Sequence, residues 1–170
     1  MISIRKLTLE DVKTTYAYSS DHENTYYMLN SPFSAIGEAE AFLCRRIAEY
    51  ESEHPEYLSF AVTYQDVHVG EVFASIFEKE KEAEIGWIID KHYWGKGIAT
   101  RAAELFVDHL KKEYGIECLR AYCDARNAAS KRVIEKIGMR FAGENGVRFY
   151  DKDYNKEVPP GVELVFSMRL

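Results

Sequence analysis

Cysteine, long apolar runs and excess positive charge are all scarce in this chain, and each scarcity excludes a class of protein. Its three cysteines lack the paired spacing of a zinc site, and so sparse a set fits reduced thiols in the cytoplasm. No apolar run approaches the roughly 20 residues that span a bilayer, and the N-terminus lacks the apolar segment of a signal peptide. The net charge of −6 argues against non-specific binding to nucleic acid. We therefore expect one globular domain over residues 1–170, cytoplasmic, with no metal, membrane or nucleic acid as partner.

Two common phosphate-binding signatures are also missing, namely the P-loop pattern G-x-x-x-x-G-K-[ST] and the dinucleotide pattern G-x-G-x-x-G. The chain instead has WIIDKHYWGKGIAT at residues 87–100, where a β-branched run ends and Gly95-Lys96-Gly97 precedes a helical pattern of apolar residues. A helix N-terminus exposes unpaired N–H groups, and glycines let a phosphate group come close to them. Taken alone, this turn is equally typical of a phosphate site and of a tight structural connection.

The remaining pattern alternates between strands and helices. We predict strands over residues 2–7, 57–64, 67–77, 83–90, 117–124, 147–152 and 162–168, and helices over residues 8–20, 37–51, 97–114 and 127–138. Asn145-Gly146, Asn155 and residues 159–161 indicate turns. Ala129, Val133 and Ile137 are the predicted buried stripe of the last helix. This order predicts a mixed α/β protein, with antiparallel hairpins before the glycine turn and a β-α-β crossover after it.

Two separated motifs give these elements a family likeness. YWGKGIATRA at residues 93–102, followed by NAAS at 127–130 and EKIGM at 135–139, resembles the GNAT superfamily of N-acetyltransferases, and within it the RimJ/RimL-like branch. The specific match covers residues 83–139. The resemblance implies a GNAT-like, mostly antiparallel central sheet of about seven strands flanked by about four helices.

The resemblance also implies acetyl-CoA as co-substrate. The family's acyl-CoA loop, Gln/Arg-x-x-Gly-x-Gly/Ala, maps onto Trp94, Gly97 and Ala99, and tryptophan in the first place is familiar in the RimJ/RimL-like branch. The loop's backbone N–H groups are then expected to hold the CoA pyrophosphate, with Lys96 adding positive charge. The full set of expected loop contacts is Trp94, Gly95, Lys96, Gly97, Ile98, Ala99 and Thr100.

The strand before this loop is implied to bind the pantetheine arm. In the family it splays from its neighbour, and here it ends at Ile88 and Ile89, whose backbone groups would pair with the arm. Asn127 and Ser130 are expected along the same arm near the thioester. Both are also candidate catalytic residues, although Asn127 is a good helix N-cap and Ser130 can bond locally in a first turn.

Acetyl transfer to an amine needs a base, donors for the developing oxyanion and a route for the leaving thiolate. Glu84 is the predicted base, through a water, because alternation puts it on one strand face with Gly86 and Ile88; an ordinary surface carboxylate is the other interpretation. The backbone N–H of Ile88 or Ile89 is the expected oxyanion donor. Ile134 occupies the position of the family's usual tyrosine acid, so Ser130, Tyr122, Cys123 or simple departure of the thiolate into water remain as alternatives.

These expectations lead to two functions. The first is an N-acetyltransferase that moves the acetyl group of acetyl-CoA directly to a primary amine, a small molecule or a protein N-terminus, through a ternary complex. The second is a non-catalytic acyl-CoA-binding regulatory protein on the same scaffold, because fold does not fix function. Acidic and aromatic residues of the first long loop could receive a cationic acceptor, and a homodimer is compatible with the sequence. These loop residues are Asp21, Glu23, Tyr26 and Tyr27.

Overall fold

The protein was analysed as a computed structural model, which describes residues 1–149 and 159–170. Within these residues one sheet contains seven strands in the order β1-β2-β3-β4-β5-β7-β6, and four helices flank it. The strands are β1 (Ile2–Lys6), β2 (Tyr57–Tyr64), β3 (Val67–Phe77), β4 (Glu82–Ile89), β5 (Cys118–Asp124), β6 (Arg140–Arg148) and β7 (Gly161–Arg169). The helices are α1 (Val12–Ser19), α2 (Ile36–Glu49), α3 (Ile98–Tyr114) and α4 (Ala128–Lys136).

Each face of the sheet is covered by a different pair of helices. Apolar residues of α3 and α4 pack on one face, where Phe106 and Ile134 join the main core with strand residues such as Val72 and Ile85. The helices α1 and α2 cover the other face around Leu43. Alternation along each strand gives the two faces their separate sets of side chains. The face under α1 and α2 also carries Glu84, which is why the sheet matters for the site.

The strands β4 and β5 run parallel and separate partway along their length. Their pairing begins at Glu82↔Cys118 and goes no further than Glu84↔Arg120, although β4 continues to Ile89 and β5 to Asp124. Beyond that point β4 remains paired to β3 as far as Gly70↔Ile89. A wedge-shaped gap therefore opens between the C-terminal ends of β4 and β5, as the family resemblance implied for this strand.

The structure confirms the predicted fold class and corrects details near the C-terminus. Asn145-Gly146 was predicted as a turn, but both residues lie inside β6, where the ladder to β7 accommodates them as a register shift between Glu144 and Val147. The predicted strand at 147–152 is therefore wrong at its start: Val147 and Arg148 are the last residues of β6, and Phe149 lies outside the strand. Residues 150–152 and Asn155 lie outside the described residues. In α4, Ala129 was predicted to be part of the buried stripe but is exposed, and the fully buried residue of this helix is Ile134.

None of the helices in the described residues combines the length and apolar character needed to cross a membrane.

Candidate active site

The glycine turn places the N-terminus of α3 next to the end of β4. Gly95 and Gly97 have φ angles of +76° and +74°, and a Cβ added at either would meet no atom within 4 Å. The turn thus requires glycine for its backbone and leaves open space beside it. Within the described chain no side chain caps α3, so the N–H groups of its first turn have no partner in the helix. Such a helix start suits an anion.

The other loop residues differ in what they can offer a ligand. Ile98 is 2% exposed and packs in the core, so only its backbone can face outward, while Ala99 and Thr100 are half-buried in the first turn of α3. The Nζ atom of Lys96 lies 5.0 Å from the ring centroid of Tyr93. This cation–π contact holds the positive charge at the rim of the turn.

The indole of Trp94 is bonded within the protein. Its Nε1 donates to the carbonyl oxygen of Ile89 at 2.6 Å, and the Nδ2 of Asn24 donates to the same oxygen at 3.0 Å. The Oδ1 of Asn24 in turn accepts from the backbone N–H of Lys91 at 2.6 Å. The first position of the acyl-CoA loop pattern thus anchors the end of β4, and the N–H of Trp94 is already engaged.

The register of β3 and β4 decides which backbone groups face the gap. The N–H of Asp90 donates to the carbonyl of Val69 at 2.8 Å, which makes Gly70↔Ile89 a non-hydrogen-bonded pair of the antiparallel ladder. The N–H and C=O of Ile89 therefore point away from β3, whereas those of Ile88 point toward it. In agreement, the carbonyl oxygen of Ile88 lies only 2.2 Å from the place of a Cβ on Gly70.

This alternation corrects the expectation for Ile88. Its backbone N–H is directed to β3 and is not oriented to serve as an oxyanion donor, so Ile88 can offer the gap only its side chain. Ile89 can offer the gap its N–H but not its carbonyl, because the carbonyl already accepts two hydrogen bonds. Its expected role as an oxyanion donor therefore stays a prediction. By the same alternation Trp87 presents its N–H and C=O to the gap, which the sequence had not indicated.

Glu84 lies at the last residue pair before β4 and β5 separate. It shares a strand face with Gly86 and Ile88, as predicted, and the ring of Phe73 lies over Gly86. The carboxyl of Glu84 opens into a cleft of about 300 Å³. Partial burial raises its pKa, and the neighbouring Glu163 carboxylate adds to the rise. The other residues lining this cleft are Phe77, Glu80, Glu82, Arg120 and Tyr122.

The arginines near Glu84 are paired with other carboxylates. Arg120 Nε lies 3.0 Å from Glu82 Oε1, and Arg148 forms an ion pair with Glu163. Among the described residues, no cation lies within ion-pair distance of Glu84 itself. The arrangement leaves this carboxylate able to take a proton from water or from an amine.

Asn127 and Ser130 are joined by a hydrogen bond that caps the N-terminus of α4. The Oδ1 of Asn127 accepts from the backbone N–H of Ser130 at 3.0 Å, so Asn127 is the N-cap of α4, as one interpretation of the sequence held. Capping uses the amide oxygen, and the amide NH2 group can still donate to a ligand. The side chain of Ser130 is half-buried in the first turn.

The position of the family's usual acid is filled by a core residue. Ile134 is 0% exposed, and no rearrangement of its side chain could supply a proton. Cys123 is also buried in the core, and burial raises the pKa of its thiol to about 11. Of the remaining alternatives, Tyr122 is half-buried and lines the same cleft as Glu84. Tyr122 is therefore the ionisable hydroxyl that the fold brings to the cleft.

The charged residues of the first long loop form ion pairs, and its two tyrosines pack against each other. Asp21 and Glu23 were expected to be available to a cationic acceptor, but the Nζ of Lys91 lies 2.7 Å and 3.1 Å from their carboxylates. Tyr26 and Tyr27 pack edge to face, with centroids 4.9 Å apart. Asn24 was not among the predicted site residues, since an isolated asparagine in a loop carries no periodic signal.

A family model described as an acetyltransferase (GNAT) domain matches residues 2–140. The chain is 29% identical to the uncharacterized N-acetyltransferase YnaD of Bacillus subtilis over 82% of this chain and 79% of that protein. It is 26% identical to the spermidine N(1)-acetyltransferase of Escherichia coli K12 over 84% and 75% of the two chains.

Solved structures share the fold across nearly the whole chain. An acetyltransferase of the GNAT family from Bacillus anthracis superposes with a TM-score of 0.80 at 25% identity, over 99% of this chain and 94% of that one. The microcin C7 self-immunity acetyltransferase MccE in complex with acetyl-CoA and AMP gives 0.83 at 17%, over 99% and 92%. The ribosomal-protein acetyltransferase RimL in complex with coenzyme A gives 0.83 at 16%, over 99% and 94%.

Proposed function

The chain belongs to the GNAT acetyltransferase family and is an acetyl-CoA-dependent N-acetyltransferase, and we propose that it moves the acetyl group directly to a primary amine while both substrates are bound. The observation that carries this proposal is the wedge between β4 and β5, which has the uncapped start of α3 at its mouth and Glu84 at its apex. One site for an anionic carrier and one candidate base thus converge on a single gap.

The residues present fit acetyl-CoA. Gly95 and Gly97 keep the space beside the α3 N-terminus free, and the first-turn N–H groups can bind a pyrophosphate there. The backbone groups of Trp87 and the N–H of Ile89 face the gap, where an amide-bearing arm could pair with them. The NH2 group of Asn127 is a further donor at the start of α4. Acetyl-CoA supplies the acetyl group from its thioester.

In the proposed reaction Glu84 is the general base. An alkylamine has a pKa near 10, so it must lose a proton before its nitrogen can attack. Glu84 takes that proton through a water, and its raised pKa makes it a stronger base than an ordinary carboxylate. One of the two gap-facing N–H groups, that of Trp87 or that of Ile89, donates to the carbonyl oxygen as negative charge develops on it, and the other remains for the arm. A C–N bond forms as the C–S bond breaks, and Tyr122 is our candidate to return a proton to the sulfur.

The acceptor class remains broad within this proposal. E. coli spermidine N(1)-acetyltransferase acts on a polyamine, and RimL is a ribosomal-protein alpha-N-acetyltransferase. Both acceptors present a primary amine that would be cationic when free, and Glu84, which has no ion-pair partner among the described residues, suits either. We further propose a RimJ/RimL-like relationship and a cytoplasmic location, where acetyl-CoA is available, and homodimerisation stays a prediction.

Isothermal titration with acetyl-CoA tests the cofactor half of the proposal. We expect the wild type to bind with micromolar affinity, and Gly97→Glu to bind at least about thirtyfold more weakly because it places a carboxylate beside the phosphates. Gly115→Glu is the matched control, since Gly115 also has a left-handed φ of +63° with open space around it, at the other end of α3. Absence of wild-type binding, or equal loss in both variants, would contradict the assignment.

A further inference from the structure

Residues 21–28, which lie between α1 and α2, form a strap across the end of the β4–β5 gap. On the β4 side, Asn24 is bonded to the carbonyl of Ile89 and the N–H of Lys91. On the β5 side, the hydroxyl of Tyr27 donates to the carbonyl of Arg126, which lies between β5 and α4, at 3.4 Å. The strap therefore touches both sides of the gap.

The two attachments differ in length. The bonds of Asn24 measure 3.0 Å and 2.6 Å, whereas the two hydrogen bonds of Tyr27 to other described segments measure 3.4 Å, the second being from Arg148 Nη2 to its carbonyl. Hydrogen bonds weaken toward the longer distance. Of these two attachments that of Asn24 is the firmer, and it is made at the strand that carries the gap-facing N–H of Ile89. The ion pairs from Lys91 to Asp21 and Glu23 hold the strap on the same side.

The strap is also ordered within itself. The backbone N–H of Asn24 donates to Asp21 Oδ1 at 2.9 Å, and the hydroxyl of Thr25 donates to the Asp21 carbonyl at 2.8 Å. Thr25 is 4% exposed. These local bonds present the Asn24 amide in a fixed direction, so that its donor and its acceptor reach the backbone on either side of Asp90 at once.

We propose that Asn24 is a positioning residue for acetyl transfer. Its amide fixes the strap against the end of β4, so that an amine entering beneath the strap meets the gap beside Ile89 in one geometry. Asparagine supplies a donor and an acceptor in one plane, a combination that neither aspartate nor alanine has. This inference rests on the proposed function and adds to it a residue that binds neither acetyl-CoA nor the amine.

The test compares Asn24→Ala and Asn24→Asp with Asn30→Ala, a control in the same loop whose exposed side chain has no hydrogen bond among the described residues. The acceptor probes are spermidine and a short peptide with a free N-terminal alanine. We expect Asn24→Ala to lower kcat/KM for the acceptor about thirtyfold, because misplaced reactants react slowly, with the Kd of acetyl-CoA changed less than about threefold. Asn24→Asp keeps the acceptor for the Lys91 N–H but turns an oxygen toward the Ile89 carbonyl in place of the Nδ2 donor, so it should lose at least as much as Asn24→Ala. Asn30→Ala should stay within about twofold of the wild type.

Hydrogen exchange on the protein without acetyl-CoA gives a second readout that needs no acceptor. The amides of Thr25 and Met28, which bond to carbonyls inside the strap, should exchange about tenfold faster in Asn24→Ala while the sheet is unchanged. Unchanged exchange, an acceptor kcat/KM equal to that of Asn30→Ala, or a parallel loss of acetyl-CoA affinity would each overturn the positioning role. If Asn24→Ala fails to fold, Asn24→Asp carries the same comparison. If the wild type acetylates neither probe but the strap amides exchange faster in Asn24→Ala, the result counts against the proposed function while supporting the anchoring of the strap by Asn24.

Discussion

The indole Nε1 of Trp94 donates to the carbonyl oxygen of Ile89 at 2.6 Å, and this bond ties the glycine turn back to the strand that precedes it. The two partners are five positions apart along the chain, so the bond closes the connection between β4 and α3 into a compact turn. The same oxygen receives Asn24 from the strap. The C-terminal end of β4 is thereby held by Trp94 of the glycine turn and by Asn24 of the strap.

Trp94→Phe keeps an aromatic ring and removes the donor. One hydrogen bond contributes about 0.5–1.5 kcal/mol, so we expect acetyl-CoA affinity to fall about three- to tenfold through a looser loop. Ile89 still has Asn24 as a partner, and the thermal unfolding midpoint should therefore change little. Titration calorimetry and a melting curve measure the two effects. Wild-type affinity in the variant would show that the bond does not shape the loop.

Glu84→Gln should separate chemistry from binding. A positioned general base contributes about 10²–10⁴-fold, so we expect kcat to fall by about 10²-fold or more with acetyl-CoA affinity unchanged. The wild-type rate should fall as pH drops through the pKa of Glu84, which burial holds above the ordinary carboxyl range. The variant should lack this limb of the pH profile.

Glu80→Gln is the matched control for this experiment. Glu80 lines the same cleft but lies in the turn before β4 and not at the last paired residue. Its variant should keep the wild-type rate and pH profile. A Glu84→Gln enzyme with wild-type kcat would assign Glu84 to the surface carboxylates, the other interpretation of the sequence.

The sequence predicted those parts of the site that depend on local pattern. The β-branched run, the glycines and the helical period all lie within residues 85–110, and they were enough to place the strand, the turn and the helix. The N-cap role of Asn127 was similarly local. The β6 error shows the limit, because Asn145-Gly146 is typical of a hairpin turn, yet pairing with β7 draws both residues into a strand.

What the sequence could not show depends on register and on contacts between distant residues. Whether Ile88 or Ile89 faces the gap is decided by the pairing of β4 with β3, since a shift of one residue exchanges the two. The bond from Asn24 to Ile89 joins a loop side chain to a backbone oxygen 65 residues away. Every residue type has a backbone carbonyl, so no sequence motif indicates which residue will accept such a bond.

Asn127 can be probed with a pair of variants that separate its two roles. Asn127→Ser keeps a capping oxygen for the Ser130 N–H, whereas Asn127→Ala removes the cap at a cost of about 1 kcal/mol of stability. Neither has the amide NH2 group, so we expect both to lose about three- to tenfold in acetyl-CoA affinity, as for one lost hydrogen bond. Only the alanine variant should melt at a lower temperature. Wild-type affinity in Asn127→Ser would restrict Asn127 to capping.

Glu71 should make the stability of the fold depend on pH. It lies opposite Ile88 on β3, is 6% exposed, and accepts a hydrogen bond from Ser59 Oγ at 2.9 Å. Burial raises its pKa from 4.5 to about 7. Between these two values the folded protein holds a proton that the unfolded chain has lost, so the free energy of unfolding falls as pH rises through this window and then levels off.

Glu71→Gln is neutral at every pH, and its amide oxygen can still accept from Ser59. The shift corresponds to about 3 kcal/mol, so relative to the wild type the variant should gain up to that amount between pH 5 and pH 8, measured by urea unfolding. Taking the difference between the two proteins at each pH cancels other titrating groups, such as His68, whose pKa burial lowers. A difference that stays constant from pH 5 to pH 8 would mean that Glu71 titrates as it does in the unfolded chain, and that water reaches it beneath α1 and α2.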